Sequence, residues 1–218
     1  MIKTLEFVDF QDAIYCFSEY LQRSSKESFL KLNYKFECGK IYGIVSDYGC
    51  GSWGISNCVS GGCSTDYYTG KVFLNGSEIL PAELSKHACV VFDNVFEGIN
   101  SSDNLLSARE CILLALKKSG LEYNVEQIKE MFGLSDERFD RSLKNVSGEI
   151  LRISIAVNFA LGKDIFCFPW LNRHDIGLIN KDNLAMLKKH SKIVIIPTSQ
   201  KNAVKKIADK LILLKTEY

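Results

Sequence analysis

A chain of 218 residues, 46% hydrophobic and 24% charged, carries enough apolar side chain for one sizeable core, at most two, which excludes global disorder. Its 27 basic and 26 acidic residues leave a net charge of +1, so no overall field draws nucleic acid or an anionic membrane surface. Eight cysteines that form no CxxC pair, with only three histidines, make metal ligation a poor bet.

In chain order, Lys3 to Tyr20 is apolar at Leu5, Phe7, Phe10, Ile14 and Phe17, a spacing that fits a strand, a helix or one turning into the other. Phe29 to Phe36 alternates apolar and polar residues and predicts a half-buried strand. Ile41 to Val45 is a short apolar strand that runs into a glycine-bearing loop, Ser46 to Gly54. Gly70 to Gly76 reads as a strand closed by an Asn-Gly turn. Ala88 to Phe92 is a buried strand, with Cys89 acting as a small apolar residue.

Helical spacing follows at Ser107–Lys118, through Ala108, Cys111, Ile112, Ala115 and Leu116, and again at Asn124–Met131. A longer helix is expected from Ser147 to Leu161, with Ser147 as its N-cap. Then come a strand at Asp164–Phe168, a helix at Lys181–Lys189, a strand at Lys192–Ile196, a helix at Asn202–Ala208 and a closing strand at Lys210–Leu214. Helices alternating with fully apolar strands predict a parallel sheet covered on both faces, and the strand-rich first half adds an antiparallel portion. Lys201, Lys205, Lys206 and Lys210 read as a solvated face. His87, His174 and His190 read as surface or structural residues. The first residues show no signal-peptide pattern, and no apolar run approaches the ~20 residues needed to span a bilayer. The expected setting is cytosolic, with reduced thiols.

These features, in this order, resemble the ATP-binding subunits of ATP-binding cassette (ABC) transporters. Six strings carry the resemblance over about residues 27 to 215: the Ser46–Gly54 loop after its strand, Gly70-Lys-Val-Phe-Leu-Asn-Gly-Ser-Glu-Ile, Asn104-Leu-Leu-Ser-Ala-Arg-Glu-Cys-Ile, Asn145-Val-Ser-Gly-Glu, Ile195-Ile-Pro-Thr-Ser-Gln and Ala208-Asp-Lys-Leu-Ile-Leu-Leu. The resemblance implies an α/β fold: a P-loop NTPase-like parallel sheet core, an antiparallel β portion and an inserted helical subdomain near residues 95–155, all within one domain over residues 1–218.

The same alignment shows which chemical groups are replaced. A P-loop needs glycines whose N–H groups turn onto a phosphate, a Lys for the β- and γ-phosphates and a hydroxyl for Mg²⁺. Here Gly49, Cys50 and Gly51 keep the glycine pattern, Ser52 stands in the Lys position and Trp53 in that of the Mg²⁺ hydroxyl. One lost charge-assisted contact of about 1.5–3 kcal/mol weakens ATP binding by roughly one to two decades. The strand that should end in Asp-Glu meets Pro169 and Trp170 in one register, Cys167 and Phe168 in the other, and neither holds a carboxylate. Ser199 takes the place of the switch histidine, and the Q-loop positions near Asp93-Asn94 hold no Gln. The signature-like stretch keeps Ser147 and Gly148 but has Glu149 for the second glycine, where an acid opposes a phosphate or serves as a first-turn helix acid.

The resemblance thus implies a degenerate subunit with no catalytic residues, no metal, and at most weak ATP and Mg²⁺ binding. Its implied partners are an active ABC ATPase subunit, or a second copy of itself, and a membrane permease. Docking would place it on the cytoplasmic face of the membrane, with the region from Asp93 to Leu106, including Phe96 and Ile99, carrying the permease contact.

Overall fold

The computed structural model describes residues 1–18, 21–63, 68–91 and 106–214, without the side chains of Leu30 and Ser147. The expected permease-contact stretch up to residue 105 and the Asp93-Asn94 positions lie outside the described residues. Two compact units emerge, Met1–Val90 with Asp164–Tyr218, and Val91–Lys163.

The first unit opens with a long hairpin, β1 (Thr4–Ser18) and β2 (Arg23–Glu37), followed by β3 (Lys40–Val45), α1 (Ser52–Asn57), β4 (Thr69–Leu74), β5 (Ser77–Ile79) and β6 (Ala88–Val90). The second unit holds α2 (Ala108–Ser119), α3 (Val125–Phe132), α4 (Asp136–Phe139) and α5 (Ile150–Ala160). The chain then completes the first unit with β7 (Ile165–Cys167), α6 (Arg173–Leu178), α7 (Lys181–Lys189), β8 (Ile193–Thr198), α8 (Lys201–Val204) and β9 (Lys210–Leu213).

The strands form an antiparallel sheet ordered β2-β1-β4-β5 and a parallel sheet ordered β6-β7-β8-β3-β9. Every residue of β8 is buried, as both-face coverage of a parallel strand requires. One apolar cluster unites the inward faces of the two sheets, through Leu5, Phe7, Phe10 and Phe36 on one side and Tyr42, Ile44, Ile165, Ile193 and Ile195 on the other. The mixed α/β class with its parallel and antiparallel portions is as the sequence predicts.

Two bulges explain why the first segment reads ambiguously. Asp9 and Lys31 adopt φ of +45° and +48°, so each strand changes its inward phase there. On β1, Leu5 and Phe7 point inward before Asp9, and Phe10, Asp12 and Cys16 do so after it. The Phe7–Phe10 spacing that suggests a helix is a strand with an inserted residue. On β2, Ser25, Glu27 and Phe29 are buried before Lys31, and Leu32 and Phe36 after it.

The second unit is built on strong helix signals. Ser107 caps α2 in a reciprocal pairing with Glu110, and Asn124 caps α3 in the same way with Gln127. Gly120 and Gly133 end these helices in the left-handed conformation. Phe132 and Phe159 meet edge to face at 5.2 Å in its core. Two boundaries differ from expectation. Ser147 opens a single 3₁₀ turn, Ser147–Glu149, and the α-helix begins at Ile150 without a side-chain cap. After Val204 the chain forms a turn rather than more helix, because the Asp209 N–H must reach the Ile41 carbonyl to start β9 beside β3.

Candidate functional site

β3 and β8 are parallel neighbours with Val45 opposite Thr198, and the Ser46 N–H donates to the Thr198 carbonyl at 3.1 Å. The loop after β3 and the segment after β8 therefore share the carboxyl edge of the sheet, the usual ligand position in such folds. The segment after β7 joins them, since Tyr48 meets the Trp170 ring edge-on at 5.0 Å. Gly49 to Trp53, Pro169-Trp170 and Ser199 are thus brought to one edge. Ser147, Gly148 and Glu149 belong to the second unit.

Gly49 and Gly51 sit at φ of +82° and +93°, and their own N–H groups turn toward a common point. That point is filled from within the chain. The Glu27 carboxylate on β2 accepts the Gly49 N–H at 3.0 Å through Oε1 and the Gly51 N–H at 2.7 Å through Oε2. Glu27 is 1% exposed. The neighbouring amides are also paired: Cys50 donates to the Asp47 carbonyl at 3.1 Å, and Ser52 to Ser46 Oγ at 3.2 Å. The loop keeps the shape of an anion nest and already holds an anion.

β2 lies against the loop along this stretch. A Cβ on Gly51 would come within 2.7 Å of the Ser28 carbonyl oxygen, and one on Gly54 within 2.9 Å of Glu27 Cβ. Upstream, Arg23 bonds the buried Asp175 at 2.5 Å and the Trp170 carbonyl at 3.3 Å, with its guanidinium 5.9 Å from the Trp170 ring centre. Tyr48 Oη donates to the Ser24 carbonyl. Three attachments therefore hold residues 23–29 across the loop. Desolvation, then the Asp47 and Glu27 carboxylates, push the Cys50 thiol above its ordinary pKa, so this thiol is a poor nucleophile.

The positions aligned with the P-loop Lys, the Mg²⁺ hydroxyl and the Asp-Glu pair hold Ser52, Trp53, Pro169 and Trp170. Ser52 Oγ is buried without a hydrogen-bond partner among the described residues, and Trp53 is 3% exposed. After β7, Phe168 is buried, its carbonyl accepting Ser56 Oγ–H at 2.6 Å, and Pro169, Trp170 and Leu171 follow. The next carboxylate, Asp175, is taken by Arg23 and by the Asn172 N–H at 3.1 Å. Ser199 Oγ accepts from its neighbour Gln200 at 3.2 Å.

In the second unit the Glu149 carboxylate turns inward. It is 8% exposed, accepts the Ser135 N–H at 3.4 Å and lies 3.8 Å from Arg138. Glu149 therefore stands at the junction of the 3₁₀ turn and α5 as a bonded, buried acid in the first turn of the 3₁₀ segment.

Glu27 and Arg23 escape the motif reading because they lie outside every motif, and Tyr48 because it fills a variable position of the loop. Only in the fold does Glu27 share strand phase with Ser25 and Phe29, both buried.

No family model matches the chain. It is 23% identical over 193 residues to the methionine import ATP-binding protein MetN of Clostridioides difficile, covering 83% of this chain and 59% of that protein. It is 27% identical over 128 residues to the energy-coupling factor transporter ATP-binding protein EcfA1 of Thermotoga maritima, covering 57% of this chain and 48% of that protein. The chain thus spans about half the length of the curated relatives it matches. Among solved structures, cbiO1 of Clostridium perfringens, part of the ABC transporter complex cbiONQ, superimposes with a TM-score of 0.71 at 13% identity over 99% of this chain and 86% of that one. The chain is similar in sequence to ATP-binding subunits of ABC transporters and has the fold of their ATP-binding domain.

Proposed function

We propose that this chain is a non-hydrolysing subunit of the ABC ATP-binding type, a structural or regulatory partner of an active ATPase subunit and a membrane permease. One observation carries the reading. The nest that would cradle a phosphate is closed by the chain's own Glu27 carboxylate through two N–H bonds of 2.7 and 3.0 Å. A phosphate must displace that acid, and two charge-assisted bonds of about 1.5–3 kcal/mol each correspond to roughly two to four decades in affinity. Ser52 and Trp53 supply neither the cation nor the metal ligand that would offset this cost.

The relatives support the partner half of the proposal. MetN is named for methionine import, EcfA1 for an energy-coupling factor transporter, and cbiO1 for a multi-subunit transporter complex. No helix among the described residues is long and apolar enough to cross a membrane, so attachment through a permease fits the chain. Ser147-Gly148 would then face nucleotide bound by the partner ATPase.

Calorimetric titration with ATP tests the first half. No saturable binding is expected into the millimolar range, with or without Mg²⁺. Glu27→Ala should gain affinity for inorganic pyrophosphate by at least about tenfold, because it empties the nest. Low-micromolar, Mg²⁺-dependent ATP binding by the unaltered chain would overturn the reading. For the second half, the tagged chain should co-purify with an ATPase subunit and a permease from detergent-solubilised membranes, and recovery as a lone monomer would count against it.

A further inference from the structure

Away from the nest, β1 and the end of α1 bring three ligand-type side chains together. A carboxylate oxygen of Asp12 and the sulfurs of Cys58 and Cys63 all lie within 4.8 Å of one another. Asp12 is 5% exposed and Cys58 1%, with Cys63 half-buried. Cys58 Sγ is 3.3 Å from Asp12 Oδ2, and Cys63 Sγ is 3.3 Å from the Cys58 carbonyl oxygen.

The fold assembles this cluster in two steps. The phase change at Asp9 turns Asp12 inward, where Oδ1 accepts the Ala13 N–H at 2.7 Å and Oδ2 reaches Cys58. Beyond α1 the chain winds one wide π turn, Cys58–Gly62, which returns Cys63 toward Cys58. That turn needs Gly61, at φ +93°, because a Cβ there would lie 2.7 Å from the Ser85 backbone nitrogen. The four-residue gap between the cysteines lies within common metal-ligand spacing, but the carboxylate comes from a distant strand, so the full cluster is visible only in the fold.

The separations suit a cation. Metal–sulfur bonds of about 2.3 Å and metal–oxygen bonds of about 2.0 Å at tetrahedral angles place sulfur and oxygen about 3.5 Å apart, and two sulfurs about 3.8 Å apart. We propose that Asp12, Cys58 and Cys63 form a binding site for one thiophilic divalent cation of the zinc class, with a fourth position open to water or an added ligand. Binding breaks two S–H bonds, releases two protons to solvent and forms two metal–thiolate bonds, with no change of oxidation state. The bound ion ties the hairpin to the end of the helix that follows the glycine loop.

The test uses the whole chain, reduced and stripped of metal with a chelator, and titrated with Co²⁺ and then Zn²⁺. One equivalent of Co²⁺ should bind with a thiolate charge-transfer band that Zn²⁺ abolishes, and Zn²⁺ should raise the thermal unfolding midpoint. The band should vanish in Cys58→Ser and in Cys63→Ser. Binding should weaken by at least about tenfold in Asp12→Asn. Cys38→Ser and Cys50→Ser should retain the band. Because Cys58 is buried, Cys63→Ser at the half-buried position serves as the decisive variant if Cys58→Ser fails to fold. No band in the unaltered chain, or a band surviving in Cys63→Ser, would sink the proposal. So would a Cys58–Cys63 disulfide in non-reduced protein that, once reduced, takes up no metal.

Discussion

Gly51 shows how tightly single residues are constrained at the loop. A methyl there would meet the Ser28 carbonyl oxygen at 2.7 Å and Phe29 Cβ at 2.9 Å, on a backbone already at φ +93°. Gly51→Ala should lower stability by about 2–4 kcal/mol, read as a lower urea midpoint. Gly76 has φ of +83° but nothing within 4 Å, so Gly76→Ala should cost only about 1 kcal/mol. Comparable losses in the two variants would mean that β2 does not press on the loop. The glycines themselves are legible in the sequence as a nest. The anion in the nest is not. Between Lys26 and Ser28, an acid on a strand reads as a solvated residue, and only the pairing of β2 with β1 carries Glu27 to Gly49 and Gly51.

At the scale of elements, the legible parts are those where local chemistry decides. The helices α2, α3 and α7 follow from helical periodicity, and the strands β3, β7 and β8 from apolar runs. Ser107→Ala should cost the second unit about 1 kcal/mol, measured by chemical unfolding, since it removes a cap that accepts the Glu110 N–H. Illegible parts are those where tertiary pairing overrides pattern. The bulges at Asp9 and Lys31 shift the strand phase, and nothing in the local composition announces them. The edge between β3 and β9 gives a pH prediction. Burial raises the Asp209 carboxyl pKa, but the Lys188 ammonium and the Ile41 N–H outweigh it and hold the group below its ordinary value. A depressed folded pKa contributes stability above the unfolded value and loses it as pH falls through the folded one. Thermal midpoints should therefore drop on acidification through about pH 4 and below, and Asp209→Asn should flatten that limb. An unchanged acid limb in the variant would remove Asp209 from the account.

Across the whole molecule, protection should not be uniform. β8 and its neighbours β3 and β7, buried on both faces, should exchange amide hydrogens most slowly, and the exposed turn at Lys205 and Lys206 far faster. The closed nest has a consequence for how this chain responds to its surroundings. A protein that binds a free nucleotide becomes more stable as that nucleotide accumulates, by about 2.7 kcal/mol at a hundred times the dissociation constant. Glu27 is tethered to the site it fills, so its local concentration is set by the hairpin and not by metabolism. The folded state should be equally robust in starved and energised cells. A subunit of this kind would act as a constant in a machine whose other parts follow the energy supply.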